Sequence, residues 1–371
     1  MTEARERYYV PEGIYLLSHS VGCLPKSSRA ALDTHFVQPW VAAGGDAWGP
    51  WLDAVNRFRD ELSLLLNARA GEFCPQANLS SALVKFLTAL PAAHKTRRVL
   101  MHASAFPSLG FAVKALASLG FEPRLIDEAL PADDPDVWER HIDDSVAALL
   151  ITHVHSNTGI ASPVAELISL ARRHDILSIV DIAQSVGVLP IDLATWQPDV
   201  ALGSCVKWLC GGPGAGFLWI RADLNDMLRP IDVGWFSHED PFEWDIRDFR
   251  YAPDALKFWG GTPSVAPYAI AAESIRVARE TGVDAMRAHN LNLLEALVVD
   301  LPAERFSHPP LANAGGTACI TVTDTSFTSV VEALKTTGAR FDTRGQTLRL
   351  SPHVYNTAEE MSVVCASLAA G

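Results

Sequence analysis

The chain has 371 residues, 49% hydrophobic and 20% charged, a globular balance with room for about two domains; no low-complexity tract or repeat points to disorder or a solenoid. A formal net charge of −13 without a basic stripe disfavours nucleic acid or an anionic membrane surface as partner. The opening MTEARERYYVPEG lacks a signal-peptide core and no apolar run is long enough to span a bilayer, so a soluble, cytoplasmic protein is expected.

The first 50 residues are expected to pack on a C-terminal domain or on a second subunit. From about residue 72 to 221, short apolar runs alternate with helical patterns. In PQANLSSALVKFLTAL, residues 75–90, Leu79, Ala82, Leu83, Phe86, Leu87 and Leu90 recur at helical spacing, with Asn78 at the N-cap position. Val99–His102, Val146–Thr152, Ile176–Asp181, Asp199–Gly203 and Gly216–Ile220 read as buried strands of a parallel sheet covered on both faces. Ser162–His174 reads as a helix, capped by Ser162 and with Pro163 at its first position. Such alternation predicts a doubly wound α/β domain.

Residues 225–262 read as a long irregular segment rich in Trp, Pro and charge, of the kind that often carries function. Beyond it, Pro267–Glu280 reads as a helix, and Ala318–Thr323, Arg340–Asp342 and Thr347–Leu350 as strands of a smaller α+β unit. The expected division is an N-terminal segment at 1–50, a large domain at 51–255 and a small domain at 256–371.

Six cysteines, Cys23, Cys74, Cys205, Cys210, Cys319 and Cys365, form no Cys-x-x-Cys pair and read as reduced, mostly buried thiols. His153 and His155 alternate as on a strand, but no third ligand accompanies them. They read as pocket or core residues, and no metal is expected.

The chemistry concentrates in residues 176–220. Asp181 ends one strand and Lys207 follows another, separated by about one strand–helix–strand unit. In an open α/β sheet both positions face the crevice at the carboxyl ends of the strands. Pyridoxal 5′-phosphate needs such a pair: a lysine to bind its aldehyde carbon and an acid to keep its pyridine nitrogen protonated. Gly211, Gly212, Gly214 and Gly216 precede a strand and lack a following Gly-Lys-Ser/Thr. They read as a tight turn behind the lysine and not as a nucleotide loop. The helix that begins after Asn78 offers free N–H groups to an anion, which makes Ala77 and Asn78 candidate phosphate contacts.

Five stretches carry a resemblance: HSVGCLP from His19, SAFPS from Ser104, DIAQSVG from Asp181, GWFSH from Gly234 and LRLSPHVYNT from Leu348. With them the sequence resembles the class V aminotransferase family, among the fold-type I pyridoxal-phosphate enzymes, and is most similar to its kynureninase-like branch. The resemblance implies a mainly parallel, doubly wound large domain with a smaller α+β C-terminal domain. It implies that Phe106 stacks on the pyridine ring, that Ser156 or Asn157 lies near the ring hydroxyl with Gln184 on the same side, and that Ser204 bonds the phosphate. Trp235 and Thr262 would reach the phosphate from the second subunit of a homodimer. Arg349 would clamp the substrate carboxylate. The implied activity is carbon–carbon bond hydrolysis on an L-amino acid. The alternatives are an aminotransferase, a cysteine desulfurase or carbon–sulfur lyase, and a non-catalytic pyridoxal-phosphate-binding protein. Three positions depart from the kynureninase pattern: Leu109 stands where those enzymes have an acid, Gln184 where they have His, and Val206 where they have Tyr. Gln184 is a feature shared with cysteine desulfurases.

Overall fold

Apolar runs with β-branched residues extend into strands because both of their faces can be covered. A computed structural model describes residues 2–91 and 98–371. Seven strands form the large sheet: β1 (Phe73–Gln76), β2 (Arg98–His102), β3 (Glu122–Ile126), β4 (Val146–Thr152), β5 (Leu177–Asp181), β6 (Val200–Ser204) and β7 (Gly216–Ile220). Their order is β1-β7-β6-β5-β4-β2-β3. Strands β2 to β6 run parallel, and β7 is antiparallel to both of its neighbours. Successive residues feed opposite cores. On β5, Ile179 packs with Leu83, Phe86 and Leu202 on one face, while Val180 packs with Leu149, Leu167 and Ala201 on the other.

Helices cover both faces. On one lies α1 (Trp48–Leu66), whose Val55, Phe58 and Leu62 are buried at helical spacing. On the other lie α2 (Leu79–Ala89) and α3 (Pro107–Ala115). Asn78 caps α2 by accepting from the Ser81 N–H at 2.8 Å. Helix α4 spans Val164–Arg173 with Pro163 as its N-cap. The expected Ser162 cap is absent, because the Ser162 hydroxyl is engaged by His155 Nε2 at 3.3 Å. Helix α5 (Ala266–Thr281) lies along α1 and shares its core, with the Phe58 and Tyr268 rings 4.9 Å apart.

A smaller four-stranded sheet has its own core. Its strands are β8 (Phe306–Ser307), β9 (Ala318–Val322), β10 (Asp342–Arg344) and β11 (Thr347–Leu350), in the order β10-β11-β9-β8. The single strand expected over Arg340–Asp342 is divided. Ala339–Arg340 pairs parallel with Ile14–Tyr15, Phe341 turns the chain, and Asp342 begins β10. The turn lets one stretch of chain serve two sheets.

After Ile14–Tyr15 the N-terminal chain runs on to the loop that follows β6. The Gly22 N–H donates to the Val206 carbonyl at 2.9 Å. A Cβ at Gly22 would lie 2.2 Å from the Lys207 carbonyl oxygen, so only glycine fits there. From the other side His353 holds the same loop: its Nε2–H donates to the Trp208 carbonyl at 3.0 Å and its ring stacks on Trp208 and Tyr355. The irregular segment after Asn225 is tied down by specific bonds. Ser237 Oγ accepts from the Gly260 N–H at 3.0 Å, and the His238 ring bridges the carbonyls of Asp240 and Asp248 at 2.7 and 2.8 Å.

His153, His155 and His353 are all buried. Burial pushes their pKa values from 6.5 down to about 3, 4 and 4 respectively, so all three are neutral at pH 7. As pH falls below 6.5 the unfolded chain takes up protons that the folded chain refuses. Their contribution is therefore complete above pH 6.5 and is lost as pH falls from 6.5 to about 4 for His155 and His353 and to about 3 for His153. Thermal unfolding followed from pH 7.5 to 5 should show a falling Tm, with a shallower decline in His153→Phe. A Tm that stays level over that range would contradict this account.

Candidate active site

The carboxyl ends of β4, β5 and β6 open into a cavity of about 230 Å³, the position at which an open α/β sheet binds ligands. Thr152 ends β4, Asp181 ends β5, and Lys207 lies three residues beyond Ser204 at the end of β6. Register places Thr152 beside Asp181 and Asp181 beside Leu202. The sheet itself therefore gathers these side chains from distant parts of the sequence.

Asp181 is 6% exposed and accepts a hydrogen bond from the Ala183 N–H at 2.9 Å. Burial raises its pKa, and the Lys207 charge and the Ala183 bond oppose that rise. Burial pushes the Lys207 ammonium pKa down; Asp181 opposes this, while the positive charges of Arg349 and Arg344 add to it. Lys207 Nζ stands 5.7 Å from the Phe106 ring centroid. Phe106 precedes α3 and is 41% exposed at the cavity, where its ring is open to a flat partner.

At the other end of the cavity is the start of α2. Asn78, Leu79 and Ser80 line it, and the leading N–H groups of a helix have no partner within the helix. Ser204 and Ser108 add hydroxyls. Gly216 lets β7 pass close to this turn, since a Cβ there would lie 3.0 Å from the Gln76 carbonyl and 3.3 Å from Asn78 Cα. Gln184 lines the third side and donates to the His19 carbonyl at 3.1 Å.

Several residues read from the sequence thus line one cavity: Asn78, Phe106, Ser156, Asp181, Gln184, Ser204 and Lys207. Ala77 is exposed just outside it, and Asn157 is half-buried behind Ser156. Trp235 and Thr262 lie apart from it and bond each other, Nε1 to Oγ1, at 3.2 Å. Arg349 is 6% exposed and adjoins the cavity wall, donating from Nη1 to the Ser156 carbonyl at 2.8 Å. Thr152, Ser80, Ser108 and Ala183 also line the cavity and were not singled out from the sequence. Thr152 could have been found as the last residue of a strand adjacent to the one ending in Asp181. His155 does not reach the cavity; it is held between Ser104 Oγ at 2.8 Å and Ser162 Oγ at 3.3 Å.

The donor set suits a flat aromatic aldehyde that carries a phosphate. There is an amine of lowered pKa for the aldehyde, a buried acid for a ring nitrogen, an exposed ring face, and a helix N-terminus with hydroxyls for an anion. Thr152 Oγ1 supplies an independent check: it is buried without a hydrogen-bond partner and lines the cavity. A buried hydroxyl left unpaired is costly, and a polar ligand would satisfy it.

The sequence profile of the family described as Aminotransferase class-V matches residues 126–369. An uncharacterized aminotransferase, YcbU, of Bacillus subtilis (strain 168) is 29% identical over 85% of this chain and 84% of its own length. A kynureninase of Burkholderia pseudomallei (strain 1106a) is 31% identical over 83% of this chain and 75% of its own. Among solved structures, a mutant of C-DES with glycine covalently linked to its PLP cofactor superposes with a TM-score of 0.88 at 21% identity, covering 98% of both chains. Profile, relatives and fold agree: the chain belongs to the class V aminotransferase family and is a pyridoxal 5′-phosphate-dependent enzyme of fold type I.

Proposed function

We propose that this enzyme acts on an L-amino acid and hydrolyses the bond between Cβ and Cγ, as kynureninase does, leaving alanine while water supplies the hydroxyl of the departing acyl group. The observation that carries the amino-acid reading is the meeting of Lys207 and Asp181 in one cavity, with Arg349 bonded to Ser156 of its wall. When bound, pyridoxal 5′-phosphate supplies a protonated ring that withdraws the electron pair left at the substrate Cα.

The remaining work falls to side chains. Lys207 would hold the cofactor's aldehyde carbon and, once freed by the incoming amine, would serve as base toward the Cα proton; its depressed pKa favours the free base. Asp181 would hold a proton on the ring nitrogen, and the cation so formed would offset the cost of burying the carboxylate. Phe106 would cover the ring. Ser156 or Asn157, with Gln184, would lie toward its hydroxyl. Ala77, Asn78 and Ser204 would hold the phosphate. Arg349 takes the substrate carboxylate through paired N–H groups.

Two features support a carbon–carbon bond as the target. Phe106, Leu109 and Val154 give the cavity an apolar wall suited to a flat side chain. A desulfurase reaction calls for an accessible thiol, and all six cysteines are buried. Cys319 lies beside Arg349 in the small sheet, where burial pushes its thiol up to about 12.

Trp235 and Thr262 lie apart from the cavity of their own chain, which supports their serving a second copy. Ile231, Trp244 and Ile246 are 65, 77 and 98% exposed in the same irregular segment, apolar side chains that a partner subunit would cover.

The deciding measurement is the visible spectrum of the cofactor-loaded protein as kynurenine, 3-hydroxykynurenine, cysteine and alanine are added. Release of anthranilate and alanine from kynurenine, with the starting spectrum regained and no keto acid required, is the expected result. A spectrum bleached by an amino acid and restored only by a keto acid would make the enzyme an aminotransferase and retire the hydrolase reading.

Lys207→Ala should retain the cofactor by its phosphate and ring contacts yet lose turnover by at least about a thousandfold, and Asp181→Asn by about a hundredfold or more. Wild-type turnover in either variant would remove that residue from the chemistry. Sedimentation should show a dimer that Ile246→Asp converts to monomer with weakened cofactor binding. A wild-type monomer holding cofactor at full affinity would exclude a shared site.

A further inference from the structure

Two arginines of the small sheet end at the same residue of the cavity wall. Arg349 Nη1 donates to the Ser156 carbonyl at 2.8 Å, and Arg344 Nη1 donates to Ser156 Oγ at 3.1 Å. Strand pairing explains the juxtaposition. Asp342 lies opposite Arg349 across β10 and β11, and Arg344, two residues further along β10, shares the face of Asp342.

The two arginines differ in what already holds them. Arg349 is gripped by Asp342, with Nε to Oδ1 at 2.7 Å and Nη2 to Oδ2. Asp342 is held in turn by His19, whose Nε2 lies 3.1 Å from Oδ2 and whose Nδ1 lies 2.5 Å from Ser351 Oγ. Burial alone would raise the Asp342 pKa, but the bonds from His19 and Arg349 hold it well below the usual carboxylate range. Asp342 therefore stays ionised and neutralises Arg349 before any substrate arrives. One fork of the Arg349 guanidinium is also spent on it. A carboxylate docking on this pair alone would meet no net positive charge and would lie beside a second carboxylate.

Arg344 supplies what is missing. It is exposed at the cavity rim, and among the described residues it has no carboxylate within ion-pair distance. Its charge is felt by Lys207 in the cavity and by Cys319 beside Arg349 in the small sheet.

We infer that Arg344 is a substrate-binding residue: the amino acid's carboxylate bridges the free ends of Arg344 and Arg349, replacing their contacts to Ser156, while Asp342 and His19 hold Arg349 in position. This rests on the reading of Arg349 as the carboxylate site.

The test titrates holoenzyme with L-alanine and, separately, with ethylamine, which keeps the amine and lacks the carboxylate. Kd is read from the change in the visible spectrum. Arg344→Gln should raise the Kd for alanine by about tenfold or more, the loss of one charge-assisted bond, and leave the Kd for ethylamine unchanged. Adding Asp342→Asn to Arg344→Gln should recover part of the loss by restoring net positive charge at Arg349. A merely structural role for Arg344 would weaken both ligands alike, and that result would overturn the inference. If Arg349→Gln weakens alanine but Arg344→Gln does not, the assignment of Arg344 fails alone. If neither variant changes alanine binding, the assignment of Arg349 fails with it.

Discussion

A lysine and an aspartate enclosed in the same crevice govern what the rest of the structure must provide. Each charge loses hydration on burial, and neither can be kept there without the other or a ligand that answers both. The sheet makes their proximity a matter of backbone geometry. Asp181 ends β5 and Lys207 follows the end of the neighbouring parallel strand β6, so the hydrogen-bond ladder between the two strands brings both to the same edge of the sheet. Side-chain flexibility in Lys207 then has only a short distance to cover.

The loop carrying Lys207 is held from two sides by parts of the chain remote in sequence. Gly22 presses on its backbone from the N-terminal segment, and His353 with Tyr355 clamps Trp208 from the small domain. These contacts are made by backbone atoms and neutral rings, so they position the lysine without adding charge to a site that already holds several. The same economy applies to the core histidines, which burial keeps neutral.

Much of this was legible in the sequence, and what was not shares a cause. Val146–Thr152, Gly216–Ile220 and Thr347–Leu350 appear as strands with the expected bounds because local apolar pattern and tertiary burial agree there. Asn78 caps its helix because the cap is a local bond. Ser162 does not, since a histidine brought in by the fold competes for its hydroxyl. Arg340–Asp342 divides because Phe341 must carry the chain from one sheet to another, a demand that no three-residue window contains. Lys207 and Asp181 stood out because their spacing matches a strand–helix–strand unit. The charge cluster of His19, Asp342 and Arg344 was not visible, because its members meet only once strand register is set.

The stretch from Ile14 to Gly22 touches nearly everything that matters. Ile14–Tyr15 extends the strand Ala339–Arg340. His19 reaches Asp342 with its ring and Gln184 with its carbonyl. Gly22 meets the loop of Lys207. A peptide chain does not stretch, and nine residues allow little slack. The segment therefore behaves as a tie rod between the small sheet and the floor of the cavity. A displacement of β10 is passed along this covalent segment, through the strand pairing at one end and the Gly22–Val206 hydrogen bond at the other, to the loop that carries the lysine.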